Sequence, residues 1–187
     1  MIASILASGT DSKSLIPRRV LYLTVGLLMA ARLGAAEDGA RAVFLKAAFP
    51  DGLPKSEVVW LTGKLRDTAS DILGHKPGRL RIRYWRKAER TAWVLNEIGK
   101  DQPITAGIVI AANGVQMVSV LRYRERRGGE VRFPFFTRQF HGAKLDSGYR
   151  LKQHIDGISG ATLSVRAMTR MTRLALYLHG VVTSDAP

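Results

Sequence analysis

The 187-residue chain contains no cysteine. That excludes disulfides, thiolate metal sites, iron–sulfur clusters and thiol nucleophiles together. Histidine is nearly as scarce. His75, His141, His154 and His179 are scattered, no two of them at ligand spacing and none beside a carboxylate cluster, so the pattern offers no metal site. Haem attachment through Cys-x-x-Cys-His is excluded for the same want of cysteine. No glycine fingerprint for NAD follows any strand-like run, which argues against direct oxidation of NADH. Acidic residues are outnumbered, 15 against 29 lysines and arginines, for a net charge of +14. The longest uncharged apolar run, VLYLTVGLLMAA at 20–31, has twelve residues. A bilayer core needs about 20.

What remains is ordinary globular material, with 46% hydrophobic and 24% charged residues. The beginning of the chain is different. Residues 1–19 are mostly polar and end in Arg18-Arg19; the apolar run follows, then Arg32 and the small residues Gly34, Ala35 and Ala36. A basic flank, a short apolar run and small residues describe a signal peptide, here 1–36, cleaved after Ala36. The expectation is an exported, periplasmic or otherwise extracytoplasmic protein, the alternative being a membrane anchor formed by residues 20–31. Export could use the Sec or the twin-arginine route. Removing 1–36 takes away Lys13, Arg18, Arg19 and Arg32 but only Asp11, leaving 25 basic against 14 acidic residues.

Residues 38–50, DGARAVFLKAAFP, place Ala42, Leu45 and Phe49 at helical spacing, with Pro50 as the stop. Val58–Leu61 reads as a strand. Residues 64–74 read as a short helix with Leu65, Ala69, Ile72 and Leu73 inward and Gly74 at its end. RLRIRYW, 79–85, alternates: Arg79, Arg81 and Arg83 on one face, Leu80, Ile82 and Tyr84 on the other. TAWVLNEIG, 91–99, is a second strand. Residues 104–125 form the clearest hairpin, two β-rich runs about Asn113-Gly114. FPFFTRQFHG, 133–142, suits a helical turn, and GYRLKQHI, 148–155, a linker or short strand. The best helix runs from Leu163 to His179, with Ser164, Ala167, Met168, Met171, Leu174, Ala175 and Leu178 as its apolar stripe. The fold class is α+β, a mostly antiparallel sheet with flanking helices. The mature domain divides into an N-terminal part, 37–103, and a core, 104–187.

Ahead of the last helix stands IDGISGATLS, 155–164. Asp156, Ser159, Thr162 and Ser164 are all capable of capping a helix. The helix points free N–H groups and its positive dipole end at this stretch, which suits a phosphate. Gly157 and Gly160 allow positive-φ turns and close approach, and Ala161 keeps the surroundings of Thr162 small. GISGA loosely matches a hydrolase nucleophile elbow. That reading fails because only His179 and Asp185 follow Ser159, in the wrong order for a triad.

DGISGAT, Asp156 to Thr162, resembles the flavinylation signature of the FMN-binding domain family. The hairpin GIVIAANGVQMVSVLRYRE, the turn RERRGGEV and FFTRQFHG are similar to that family as well, so the likeness covers roughly 104–170. The family includes flavoprotein subunits of the sodium-pumping NADH:quinone reductase and of the Rnf complex. The resemblance implies an FMN-binding-domain-like fold. It implies FMN carried covalently, as a phosphoester, on Thr162, within a motif of Asp156, Ser159, Gly160, Ala161 and Thr162. A separate flavin transferase, using FAD and Mg²⁺, would make the bond, since no base is evident beside Thr162. Glu125 carries over as a flavin-contacting residue, although Arg126 follows it where the respiratory subunits have threonine.

The expected protein is an electron-transport flavoprotein rather than a stand-alone enzyme, with no catalytic residues of its own. It would pass electrons between a membrane redox partner and an extracytoplasmic acceptor. The alternative is a non-redox exported binding module in which the SGAT turn is only a helix cap. The basic segment 79–90, RLRIRYWRKAER, suits an acidic redox partner or an anionic lipid surface. Nucleic acid is not expected of an exported protein. Trp60, Trp85 and Trp93 read as core residues, and Phe133, Phe135, Phe136 and Phe140 as core or as neighbours of the flavin ring.

Overall fold

The computed structural model describes residues 38–112 and 114–184. The expected signal peptide, its cleavage site and Asn113 lie outside these residues. Helix α1 occupies 38–48. Its buried stripe is Phe44, Leu45, Ala48 and Phe49, while Ala42, read as inward from spacing, is exposed. Five strands follow: β1 Ser56–Trp60, β2 Arg81–Lys87, β3 Arg90–Ile98, β4 Pro103–Ala111 and β5 Gly114–Arg122. They form an antiparallel meander in the order β1-β2-β3-β4-β5. Helix α2, Gly63–Leu73, joins β1 to β2 and ends on Gly74 at φ 75°, a left-handed cap that glycine adopts without a steric penalty. A 3₁₀ turn at Gly129–Arg132, the one-turn helix α3 at Pro134–Thr137 and a 3₁₀ turn at Arg138–Phe140 follow the sheet. The last helix, α4, runs from Thr162 to Ser184. The architecture is α+β, and one sheet spans the expected boundary at 103/104, because β3 pairs with β4 across it.

Alternation decides what each face of the sheet buries. Trp93 and Leu95 of β3, with Ile104, Ala106, Ile108 and Ile110 of β4, face the main core beneath α4 and α2. All seven apolar-stripe residues read from the sequence of α4 are buried there. Tyr84 stacks on Trp93, ring centroids 4.8 Å apart, and donates its hydroxyl to Glu57 Oε2 at 2.6 Å. Burial and that carboxylate push the Tyr84 phenol up to about 12. The opposite face carries Trp85, Ala92 and Val109 under α1. β4 is thus covered on both sides, which is why PITAGIVIA reads as a nearly unbroken apolar run. Gly107 lies directly beneath Phe44. A Cβ there would come within 2.6 Å of the ring.

Two of the three tryptophans are core, but Trp60, on the edge strand, is 59% exposed. Phe136 and Phe140 are fully buried and meet edge to face, while Phe133 and Phe135 are exposed. The β2–β3 hairpin turns on Ala88-Glu89 without glycine, and Ala88 takes φ 50°. Among the described residues no helix is long and apolar enough to cross a membrane.

Candidate functional site

The stretch before α4 takes a sharp course. Gly160 adopts φ 77°, Ala161 N–H closes a turn on Ile158 O at 2.9 Å, and Val165 N–H reaches back to Ala161 O at 3.0 Å. The helix therefore starts with the N–H groups of Thr162, Leu163 and Ser164 directed outward without intrahelical acceptors. Of the four residues read as capable of capping, none caps α4. Asp156 and Ser159 are exposed, and Asp156 is fixed instead by its own N–H, which donates to Gln139 Oε1 at 2.7 Å. His154 stands 3.7 Å from the Asp156 carboxylate in an exposed pair. Ser164 points inward, where its hydroxyl meets Tyr123 Oη at 3.0 Å.

Thr162 is exposed, and it opens onto a cavity of about 830 Å³. The wall has three parts. One is the start of α4, Gly160 to Ser164; a second is the segment after β5, Arg124 to Arg127; the third is the turn between β3 and β4, Lys100 to Gln102. The structure thus brings Glu125, Gly160, Ala161 and Thr162 of the expected site residues onto one cavity. It leaves Asp156 and Ser159 off its wall.

Glu125 holds that wall together. Its Oε1 accepts the backbone N–H groups of Lys100, Asp101 and Gln102, at 2.5, 2.7 and 2.9 Å. The N–H of Gln102 and then those of Asp101 and Lys100 hold the carboxyl below its ordinary range. Gly99 makes room for it, since a Cβ there would stand 2.9 Å from Oε1. The neighbouring Arg124 donates from Nη1 to Pro103 O at 3.0 Å and to Thr105 Oγ1 at 3.1 Å; Thr105 in turn donates to Asn96 at 2.6 Å. Glu125 is therefore a clasp for the turn, a role the sequence did not suggest.

Other residues at this site were missed from sequence. Tyr123 donates its hydroxyl to Arg127 O as well as meeting Ser164, with the Arg132 guanidinium 5.7 Å above its ring. Gly128, at φ 79°, lets the turn lie against the motif: a Cβ would be 2.9 Å from Tyr123 Oη and 3.1 Å from Ala161 Cβ. The glycine pair in RRGGEV was the available signal. Tyr123 carried none, because a lone tyrosine at a strand end predicts nothing about its partner.

The residues present fit FMN. The volume is within the usual range for small-molecule sites. Lys100, Arg124, Arg126 and Arg127 face only Asp101 and Glu125 on the wall, so the lining favours an anion, and a helix N-terminus adds to it. No histidine lines the cavity. Among the described residues no group of three or more His, Asp or Glu converges as a metal site would require.

An α+β domain with a hydroxyl at the head of its last helix, opening onto a cationic cavity of small-molecule size, suits a flavin-binding module. Residues 99–177 match the family model of the FMN-binding domain. No curated protein matches the chain.

Proposed function

We propose that this protein is an exported electron carrier with FMN esterified to Thr162, passing electrons between a membrane redox partner and an extracytoplasmic acceptor. The observation that carries this reading is the position of Thr162: an exposed hydroxyl, at a helix N-terminus, on the wall of a cationic cavity. The linking step is a phosphoryl transfer without redox change. The Thr162 oxygen forms a bond to the FMN phosphorus of FAD, the pyrophosphate P–O bond breaks, AMP leaves, and the hydroxyl proton passes to a base. Of the two carboxylates on the wall, Glu125 is engaged by three N–H groups and is not available as that base. A separate transferase would supply it, with Mg²⁺. Lys100, Arg126 and Arg127 would then balance the phosphodiester charge. Bound flavin would supply one- and two-electron redox chemistry, and the chain its orientation and electrostatics.

The competing reading, a binding module whose SGAT turn only caps a helix, lacks its expected contacts, since Asp156, Ser159 and Thr162 make no capping bond to α4. The deciding measurement is intact mass after co-expression with an active flavin transferase. A gain of about 438 Da, one FMN less water, that is absent in Thr162→Ala supports the carrier. An unmodified mass, with the transferase active on a known substrate, rejects it. Export is tested separately, by fractionating cells that express the full chain and sequencing the N-terminus of the product. Recovery of uncleaved protein in the cytoplasm would reject it.

A further inference from the structure

The sheet is forked. β2 and β3 pair only from Tyr84↔Trp93 to Lys87↔Arg90. Beyond that point β2 continues against β1, down to Trp60↔Arg81, and β3 continues against β4, down to Ile98↔Pro103. Nothing pairs Arg81–Arg83 with the facing segment of β3. A second cavity, of about 680 Å³, occupies the cleft between these prongs. It is distinct from the cavity at Thr162, and the two share no lining residue.

Its lining has two characters. Ile82, Trp85, Val94 and Leu95 make it apolar within. Arg41, Arg79, Arg81 and Arg83 make its mouth cationic. Arg81 and Arg83 share one face of β2, two residues apart and so about 7 Å from each other. Among the described residues the side chains of Arg79, Arg81 and Arg83 have no acidic partner and no hydrogen bond. Arg41 reaches only the exposed Asp38, at 3.7 Å, and its Nε is buried with no hydrogen-bond partner. Among the described residues Glu97 is the one carboxylate on the lining, and it is already engaged: His75 Nε2 lies 2.7 Å from it and Arg170 Nη1 3.5 Å. It therefore cannot serve the four arginines at the mouth.

Three guanidinium groups without a counter-charge, and a fourth whose only one is the exposed Asp38, around a cleft with apolar walls, are poorly explained as a solvated strand face. A solvated face has no cleft behind it and no buried orphan donor. Guanidinium groups recognise carboxylates through paired N–H donors, and apolar walls select a ligand with a hydrophobic body. We infer that the fork between β2 and β3 binds a small amphipathic organic carboxylate, its head group held by Arg41, Arg81 and Arg83 and its body between Trp85, Val94 and Leu95.

The test is calorimetric titration of the full-length protein with cinnamate, succinate and inorganic phosphate in turn. Vesicles of phosphatidylglycerol and of phosphatidylcholine are examined by co-sedimentation. Cinnamate should bind with a Kd below about 1 mM, more tightly than succinate or phosphate. Arg81→Ala and Arg83→Ala, both at exposed positions where the fold is not at stake, should each weaken it about tenfold. Arg41→Ala should do the same. No cinnamate binding, binding unchanged by these substitutions, or phosphate bound as tightly as cinnamate would each overturn the inference. So would binding confined to phosphatidylglycerol vesicles, which would make the arginines a membrane surface. The titration is repeated on Thr162→Ala, so that its outcome is independent of whether the chain carries flavin.

Discussion

Thr162 is exposed because the residues around it are small or turned away. Gly160 takes the left-handed conformation, Ala161 is buried, and Ser164 points inward to Tyr123. Gly128 is the residue on which this packing depends most. Alanine there would meet Tyr123 Oη at 2.9 Å and Ala161 Cβ at 3.1 Å, in a backbone conformation that costs an L-residue roughly 1–2 kcal/mol. Gly128→Ala should lower the denaturation midpoint and slow flavinylation of Thr162 several-fold, since it moves Ala161. Chemical denaturation and a mass time course check the two effects. Full flavinylation at the normal rate would show that the transferase does not read this packing.

Turns and helix ends carry the electrostatics of the elements. The β3–β4 turn is held by Glu125, whose depressed pKa means that its stabilisation is present above the ordinary 4.5 and is lost as pH falls through the lower folded value. Glu125→Ala should cost about 1–2 kcal/mol and raise hydrogen exchange at Lys100, Asp101 and Gln102 selectively. Uniform exchange across the domain would place the clasp elsewhere. Between α2 and α4 the sign is opposite. His75 is raised above 6.5, first by its hydrogen bond to Glu97 and then by the Lys76 carbonyl. Its stabilisation is full below 6.5 and disappears as pH rises through the folded value. The wild-type midpoint should therefore fall as pH rises from 6.5 through the folded value, and His75→Gln should flatten that slope. Parallel denaturation curves across that range would assign the slope to other groups.

For the molecule as a whole, charge sets the encounter rather than the fold. A net charge of +11 after cleavage, 25 basic less 14 acidic residues, predicts that association with an acidic redox partner or an anionic membrane weakens as ionic strength rises from about 0.05 to 0.5 M. Stopped-flow electron transfer at several salt concentrations measures this. A flat dependence would mean that docking is not steered by the basic surface.

The elements were legible in the sequence because each is set by local rules. Alternation gave β2, an apolar stripe gave α4, Gly74 ended α2, and Asn113-Gly114 marked the hairpin. The motif 156–162 was legible for the same reason, since small residues, a hydroxyl and a helix start act over one turn of chain. Trp60 and Ala42 were misread because burial depends on what lies opposite, and sequence periodicity records only which residues share a face. Glu125 was read only as a flavin contact, not as the clasp of the turn, and Tyr123 was not read at all. Their partners are 23–25 and 41 residues away, and only the closing of the sheet beneath α4 brings them together. The fork was equally hidden: β2 and β3 have ordinary strand patterns, and where two strands stop pairing is decided by what each pairs with on its other side. Periodicity and turn chemistry, which act along the chain, fixed the elements, and the expectation for Thr162 came from the motif's resemblance to a known family. The cavities, the clasp and the arginine mouth arise from contacts across the chain, so the tertiary structure alone decided them.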